Sequence, residues 1–142
     1  MLIREAGEED VPSLAGLMGE LGYETTSEEM RNRFNKIQET PGYCTFVADH
    51  CGKVVGMIGL CTSYFYEKEG QYARIVALVV DSRYRNSGVG KKLIQQAEQW
   101  AKQHDAVTIG LNSGIREERT NAHNFYLNMG YKEVSKGFFK SL

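Results

Sequence analysis

Ile75-Val76-Ala77-Leu78-Val79-Val80, then Arg85-Asn86-Ser87-Gly88-Val89-Gly90, then Lys91-Lys92-Leu93-Ile94: this stretch decides how the chain folds. The first segment is an unbroken apolar run rich in β-branched residues and reads as a buried strand. The second carries two glycines and reads as a turn. The third opens a helix, with Val89, Leu93, Ala97, Trp100 and Ala101 at helical spacing. A strand, a small-residue turn and a helix start together make an anion site. The first amides of a helix have no partner within it, and the macrodipole adds partial positive charge there. Gly88 and Gly90 let the backbone approach a phosphate with no Cβ in the way.

Two familiar phosphate loops fail on spelling. The dinucleotide fingerprint needs a third glycine where this chain has Leu93. The P-loop needs glycine at Arg85 and Ser or Thr at Lys92. What is left is Arg-x-x-Gly-x-Gly over Arg85–Gly90. About one helix and one strand later comes Arg119-Thr120-Asn121-Ala122-His123-Asn124-Phe125-Tyr126, closed by Gly130-Tyr131. The two stretches, in this order and separation, resemble the acyl-CoA pyrophosphate loop and the following Asn/Arg-x-x-Ala-x-x-Phe-Tyr helix of the GNAT superfamily of N-acetyltransferases. The resemblance spans the whole chain.

The segments on either side are consistent with it. Met1–Ala6 reads as a strand, and Val11, Leu14, Leu17, Met18 and Leu21 line one face of a first helix stopped at Gly22. Thr26-Ser27-Glu28-Glu29 spells a capping box for a second helix carrying Met30, Phe34 and Ile37. Strands are expected over Tyr43–Asp49, Val54–Phe65, Tyr72–Val80 and Val107–Leu111. A helix should carry Ala122, Phe125 and Met129, and a terminal strand pair should cover Tyr131–Val134 and Phe138–Lys140. Periodicity alone specifies a mixed α/β domain. The order β-α-α-β-β-β-α-β-α-β is the one the resemblance implies, in one domain over residues 1–142.

Composition limits the alternatives. The chain has 142 residues, the size of one ordinary domain, and 42% of them are hydrophobic. No apolar run approaches the ~20 residues of a membrane span, and Met1-Leu2-Ile3-Arg4-Glu5 lacks the apolar core of a signal peptide. Cys44, Cys51 and Cys61 form no CxxC pair and suit reduced thiols in a cytoplasmic protein. His50, His104 and His123 are scattered without ligand spacing, so no metal site is expected. A net charge of −1 argues against nucleic acid as a partner. The first thirty residues hold Glu5, Glu8, Glu9, Asp10, Glu20, Glu24, Glu28 and Glu29 against Arg4 alone, and bases gather towards the C-terminus. That polarity suits a cationic amine at one end and a polyphosphate at the other.

The resemblance implies transfer of an acetyl group from acetyl-CoA, a cosubstrate, to a primary amine attacking directly in a ternary complex. Backbone groups of Asn86, Ser87, Gly88, Val89 and Gly90 would face the pyrophosphate, with charge from Arg85 and Lys91. Main-chain groups of Leu78, Val79 and Val80 would meet the pantetheine and polarise the acetyl carbonyl. Asn112 and Asn121 would bond the pantetheine, and Arg116 and Arg119 would lie towards the phosphoadenosine. Tyr126 matches the tyrosine that often protonates the departing thiolate. Many relatives carry a carboxylate on the strand before the loop. Here Val76 and Ala77 stand at the comparable positions and cannot take a proton, which leaves a water relay, Glu67, Glu69 or an amine bound already neutral. The acceptor pocket is expected near Tyr23, Glu24, Tyr64, Tyr66 and Glu67, where rings and acids suit a cation. The exposed edge offered by the terminal strands is compatible with a homodimer. Two further readings come with it: an acyl-CoA-binding sensor with the same fold and little transfer, and a nucleotide-binding α/β module.

Overall fold

Valine- and aromatic-rich segments form the strands and amphipathic ones the helices. Their order is β1 (Leu2–Glu5), α1 (Val11–Glu20), α2 (Ser27–Glu39), β2 (Tyr43–His50), β3 (Lys53–Tyr64), β4 (Gln71–Val80), α3 (Val89–Gln103), β5 (Ala106–Gly110) and α4 (Thr120–Asn128). This computed structural model describes residues 1–113 and 120–142. Met1–Ile109 and Gly110–Leu142 are two compact units.

One sheet takes the strands in the order β1-β2-β3-β4-β5. The first four are antiparallel neighbours. A Cβ on Gly70, just before β4, would stand 3.3 Å from Val107 Cγ1, at the start of β5. The two strands therefore begin side by side and run parallel, with α3 as the crossover that a parallel pair requires.

Cross-strand partners share a face of the sheet, so register says which helices each row meets. The row Val47–Met57–Val79 faces α1 and α2, where Val11, Leu14, Leu17, Met30 and Phe34 complete a buried cluster. The next rows outward on that face are Thr45–Gly59–Ala77 and Tyr43–Cys61–Arg74. The opposite face carries α3. Leu93, Ile94 and Ala97 are wholly buried there, each large one contributing about 1.5–3 kcal/mol by leaving water. In β4 the register steps from Gly59–Ala77 to Leu60–Ile75, leaving Val76 as an extra, bulged residue.

Polar ties hold the N-terminal elements. Arg4 of β1 donates to both carboxylate oxygens of Asp10, at 2.8 and 2.9 Å, and to Asp49 of β2 at 3.2 Å. The amide of Gly7 donates to Asp10 as well, at 2.8 Å. The Arg4 hydrogen bonds hold the Asp10 carboxyl below its usual range. The capping box forms as spelled: Glu29 N donates to Thr26 Oγ1 at 3.1 Å, and Thr26 N donates to Glu29 at 2.9 Å.

In the second unit, α4 ends at Asn128 and is followed by Gly130, whose φ of 92° is left-handed. The amide of Tyr131 then donates back to the Tyr126 carbonyl at 3.0 Å, a glycine-terminated helix end. The expected strands over Tyr131–Val134 and Phe138–Lys140 are not formed; residues 131–142 carry no regular element. A half-buried strand needs its apolar residues two apart on one face. Phe138 and Phe139 are adjacent and would point to opposite faces, and both are exposed.

Candidate active site

The turn between β4 and α3 is built on a buried acid. Asp81 directly follows β4 and accepts hydrogen bonds from Arg83 N at 2.9 Å, Nε at 3.1 Å and Nη2 at 2.9 Å. These bonds, above all from the guanidinium, hold its carboxyl at about 2. Asp81 thereby caps the 3-10 turn Ser82–Tyr84. Ser87 Oγ donates to the Tyr84 carbonyl, folding the next residues back on that turn.

Asn86 and Gly88 both take left-handed backbone conformations, φ 62° and 84°. Alternating hand in consecutive residues aims several N–H groups into one concavity, the geometry of an anion nest. Gly88 is the N-cap of α3 and supplies no side-chain cap. Among the described residues, no acceptor meets the amides from Asn86 to Lys91; the first turn closes with Lys92 N on Gly88 O at 3.1 Å. A Cβ built on Gly88 meets nothing within 4 Å. The loop therefore leaves open space at Gly88, and its amides without protein acceptors could hold a pyrophosphate. Arg85 points elsewhere: its guanidinium lies 3.6 Å from Glu20, at the end of α1. Ser82 Oγ donates to the same carboxylate at 3.3 Å. Lys91 is exposed on the first turn of α3.

The three β4 residues separate by direction. Asp81 N donates to Val55 O on β3 at 2.8 Å. Main-chain groups alternate sides along a strand, so Val79 also faces β3, while Leu78 and Val80 face the β5 side. At about 3.3 Å per residue, the five residues of β5 span roughly 16 Å, whereas Leu78 stands roughly 26 Å along β4 from Gly70. β5 ends short of Leu78. Among the described residues, the edge of β4 at Leu78 and Val80 therefore has no β5 residue paired beside it.

The acetyltransferase (GNAT) family model matches residues 12–131. The chain belongs to the GNAT acetyltransferase family. It is 33% identical to an aminoalkylphosphonate N-acetyltransferase of Salmonella typhimurium over 141 residues, 99% of this chain and 90% of the relative. A GNAT family acetyltransferase of Staphylococcus aureus is similar at 31% identity and a TM-score of 0.85, covering 99% of this chain and 98% of that one. An aminoglycoside N-acetyltransferase solved in complex with CoA shares the fold at 17% identity and a TM-score of 0.85, covering 99% and 93%. The chain is an N-acetyltransferase.

In this GNAT enzyme the other residues singled out from sequence fall into separate places. Tyr126 is half-buried on α4, its ring 5.4 Å from Phe125 and 6.4 Å from Tyr131. Asn121 is exposed and is the second residue of α4, not its cap. Asn112 is exposed just past β5, and a Cβ on Gly137 would touch its amide at 3.9 Å. Arg116 and Arg119 lie outside the described residues. Tyr64, Tyr66 and Glu67 line one hollow at the β3–β4 turn, with Phe65, Lys68, Glu69 and Gly70. Glu24 lines another, between α1 and the start of α2, and the two share no residue. Tyr23 is 70% exposed and borders neither. Val76 and Ala77 hold the middle of β4, Val76 exposed at the bulge.

Asp81 and Glu20 are the residues that sequence reasoning missed. An acid directly after an apolar strand and before Ser-Arg is a capping signal and was readable. Glu20 meets Arg85 across 65 positions of chain, and no local pattern announces that pair. Among the described residues, no group of three or more His, Cys, Asp or Glu is placed to hold a metal ion, and no helix is long and apolar enough to cross a membrane.

Proposed function

We propose that this GNAT enzyme transfers the acetyl group of acetyl-CoA to a primary amine by direct attack in a ternary complex. The observation that carries the reading is the open amide cradle at Asn86–Gly90, set on the N-terminus of α3 and directly after the β4 edge. A pyrophosphate seated on the cradle places an extended arm along Leu78 and Val80. The Leu78 amide then polarises the thioester carbonyl in the manner of an oxyanion-hole donor. The amine nitrogen attacks the carbonyl carbon, the C–N bond forms and the C–S bond breaks. The thiolate takes a proton from the Tyr126 hydroxyl, the nitrogen loses one to water, and solvent returns a proton to the Tyr126 phenolate. With no carboxylate at Val76 or Ala77, the amine enters neutral or passes its proton to a water relay. Asn112 and Asn121 bond the pantetheine, and the acceptor binds beyond the acetyl group, towards Tyr64, Tyr66 and Glu67.

The continuous family match across both compact units supports one domain over 1–142. The three free thiols suit a reducing cytoplasm. The Salmonella relative's name makes an aminoalkylphosphonate the first acceptor to try. Titration calorimetry with acetyl-CoA and with ATP, followed by thiol release over an amine panel, tests the reading. Acetyl-CoA binding with thiol release is expected. Binding with no release from any amine favours the sensor, and absence of acetyl-CoA binding overturns the assignment of the cradle.

A further inference from the structure

Arg74 stands apart from the other described arginines. Arg4, Arg31, Arg83 and Arg85 each meet a carboxylate, and Arg33 donates to Thr25 and Met30. Among the described residues the Arg74 side chain has no hydrogen-bond or ion-pair partner, although the residue lies within a strand of the sheet and not on a loop. A guanidinium rooted in a strand of the sheet and left without a counter-ion is open to an anion from a ligand.

Its position gives the ligand. Arg74 pairs with Cys61, which pairs with Tyr43, and this row lies on the face covered further along by α1 and α2. The helices close over the row Val47–Met57–Val79. Between the two rows lies Thr45–Gly59–Ala77, a floor of small side chains on β3 and β4. A Cβ on Gly59 would meet only Met57 Cε, at 3.8 Å. Arg74 and Tyr43 therefore border a shallow floor, and both are exposed. Four residues along β4 is Leu78, whose amide faces the β5 side; the rise between them is about 13 Å, less what the Val76 bulge takes up. The arginine side chain spans a large part of that distance. What fits in the remainder is a short acceptor with its amine at one end and an anion at the other.

We propose that Arg74 is a specificity-determining residue. It binds a phosphonate, phosphate or carboxylate carried about two or three carbons from the acceptor nitrogen. The inference rests on the transferase reading above and adds the acceptor class. The guanidinium fork matches both oxygens of such a group, and it repels a second ammonium. It acts on the acceptor and takes no part in the proton transfers.

The test compares wild type, Arg74→Gln and Arg74→Lys with four acceptors of similar length: aminoethylphosphonate, β-alanine, propylamine and diaminopropane. Thiol release gives kcat and KM separately, and calorimetry gives acetyl-CoA affinity. Wild type should prefer the anion-bearing amines over propylamine by roughly 10- to 100-fold in kcat/KM, with diaminopropane the poorest. The phosphonate and carboxylate arms identify which anion is the better fit. Arg74→Gln should collapse that ratio towards one through KM, with acetyl-CoA affinity and melting temperature kept, and Arg74→Lys should recover part of it. A ratio that survives Arg74→Gln, a preference for the diamine, or acetyl-CoA binding with no turnover of the anion-bearing amines overturns the proposal and leaves the transferase reading standing. Loss of acetyl-CoA binding in the wild type would end both.

Discussion

Gly56 lies so close beneath Leu93 that a methyl group on its Cα would stand 3.2 Å from Leu93 Cδ1, and equally close to Val89 Cγ1 and the Val79 carbonyl. Val89 and Leu93 open α3, so the helix that presents the cradle amides rests directly on a strand glycine. Gly56→Ala should overpack this contact and cost about 1–3 kcal/mol. It should also weaken acetyl-CoA binding, because the helix start must lift. Urea unfolding and calorimetry check the two together; a loss of stability with acetyl-CoA affinity intact would show that the cradle does not depend on this contact.

Gly88→Ala should behave in the opposite way. The left-handed φ of 84° costs an alanine about 1–2 kcal/mol, but its methyl group meets no protein atom within 4 Å. The damage should fall on the ligand: acetyl-CoA affinity down at least about tenfold, with folding only modestly weakened. Acetyl-CoA affinity equal to wild type would remove the pyrophosphate from this loop.

Tyr126→Phe keeps the ring and its packing on Phe125 and Tyr131 and removes the hydroxyl proton. Turnover should fall by about 10²-fold while acetyl-CoA affinity holds. Equal kcat in the two proteins would leave the thiolate to be protonated by solvent.

Acid should expose the tie between β1 and α1. Arg4 lowers the Asp10 pKa below 3.8, so the unfolded chain binds this proton more readily than the folded one. The stabilisation is complete above the unfolded value and is lost as pH falls through the folded one. Asp10→Asn should therefore cost stability at neutral pH, about 1–3 kcal/mol for a charged hydrogen-bonded pair. It should also flatten the decline of the urea midpoint below pH 4. An unaltered acid slope would assign that decline to other groups.

The thiols should separate by environment. Burial, then the neighbouring Glu5 carboxylate, pushes Cys44 up to about 11, which leaves it protonated and unreactive at pH 8. Cys51 is exposed in the β2–β3 turn. Mass spectrometry after brief alkylation should find Cys51 modified and Cys44 untouched until denaturant is added. Early labelling of Cys44 would mean that β2 opens locally.

Local chemistry was legible in the sequence and pairwise geometry was not. The Thr26–Glu29 capping box and the strand-turn-helix at Ile75–Ile94 are written in consecutive residues and formed as read, α3 beginning two residues earlier than Lys91. The Val76 bulge, the face on which Arg74 sits and the Glu20–Arg85 pair depend on which strand or helix lies alongside, and no window of sequence contains both partners. The terminal strands failed for the same reason. Tyr131–Val134 and Phe138–Lys140 have strand-like residues, but a strand exists only through a neighbour's backbone.

The extra residue at Val76 also bears on how this enzyme can diverge. Deleting it would remove the bulge and leave every other pair in place, Gly59–Ala77 followed directly by Leu60–Ile75 and Cys61–Arg74, so Arg74 and Tyr72 would keep their face and Ala73 and Ile75 theirs. Lineages descending from this chain can lose Val76, or trade Arg74 for another side chain, in a single mutational step without turning either face of the sheet over.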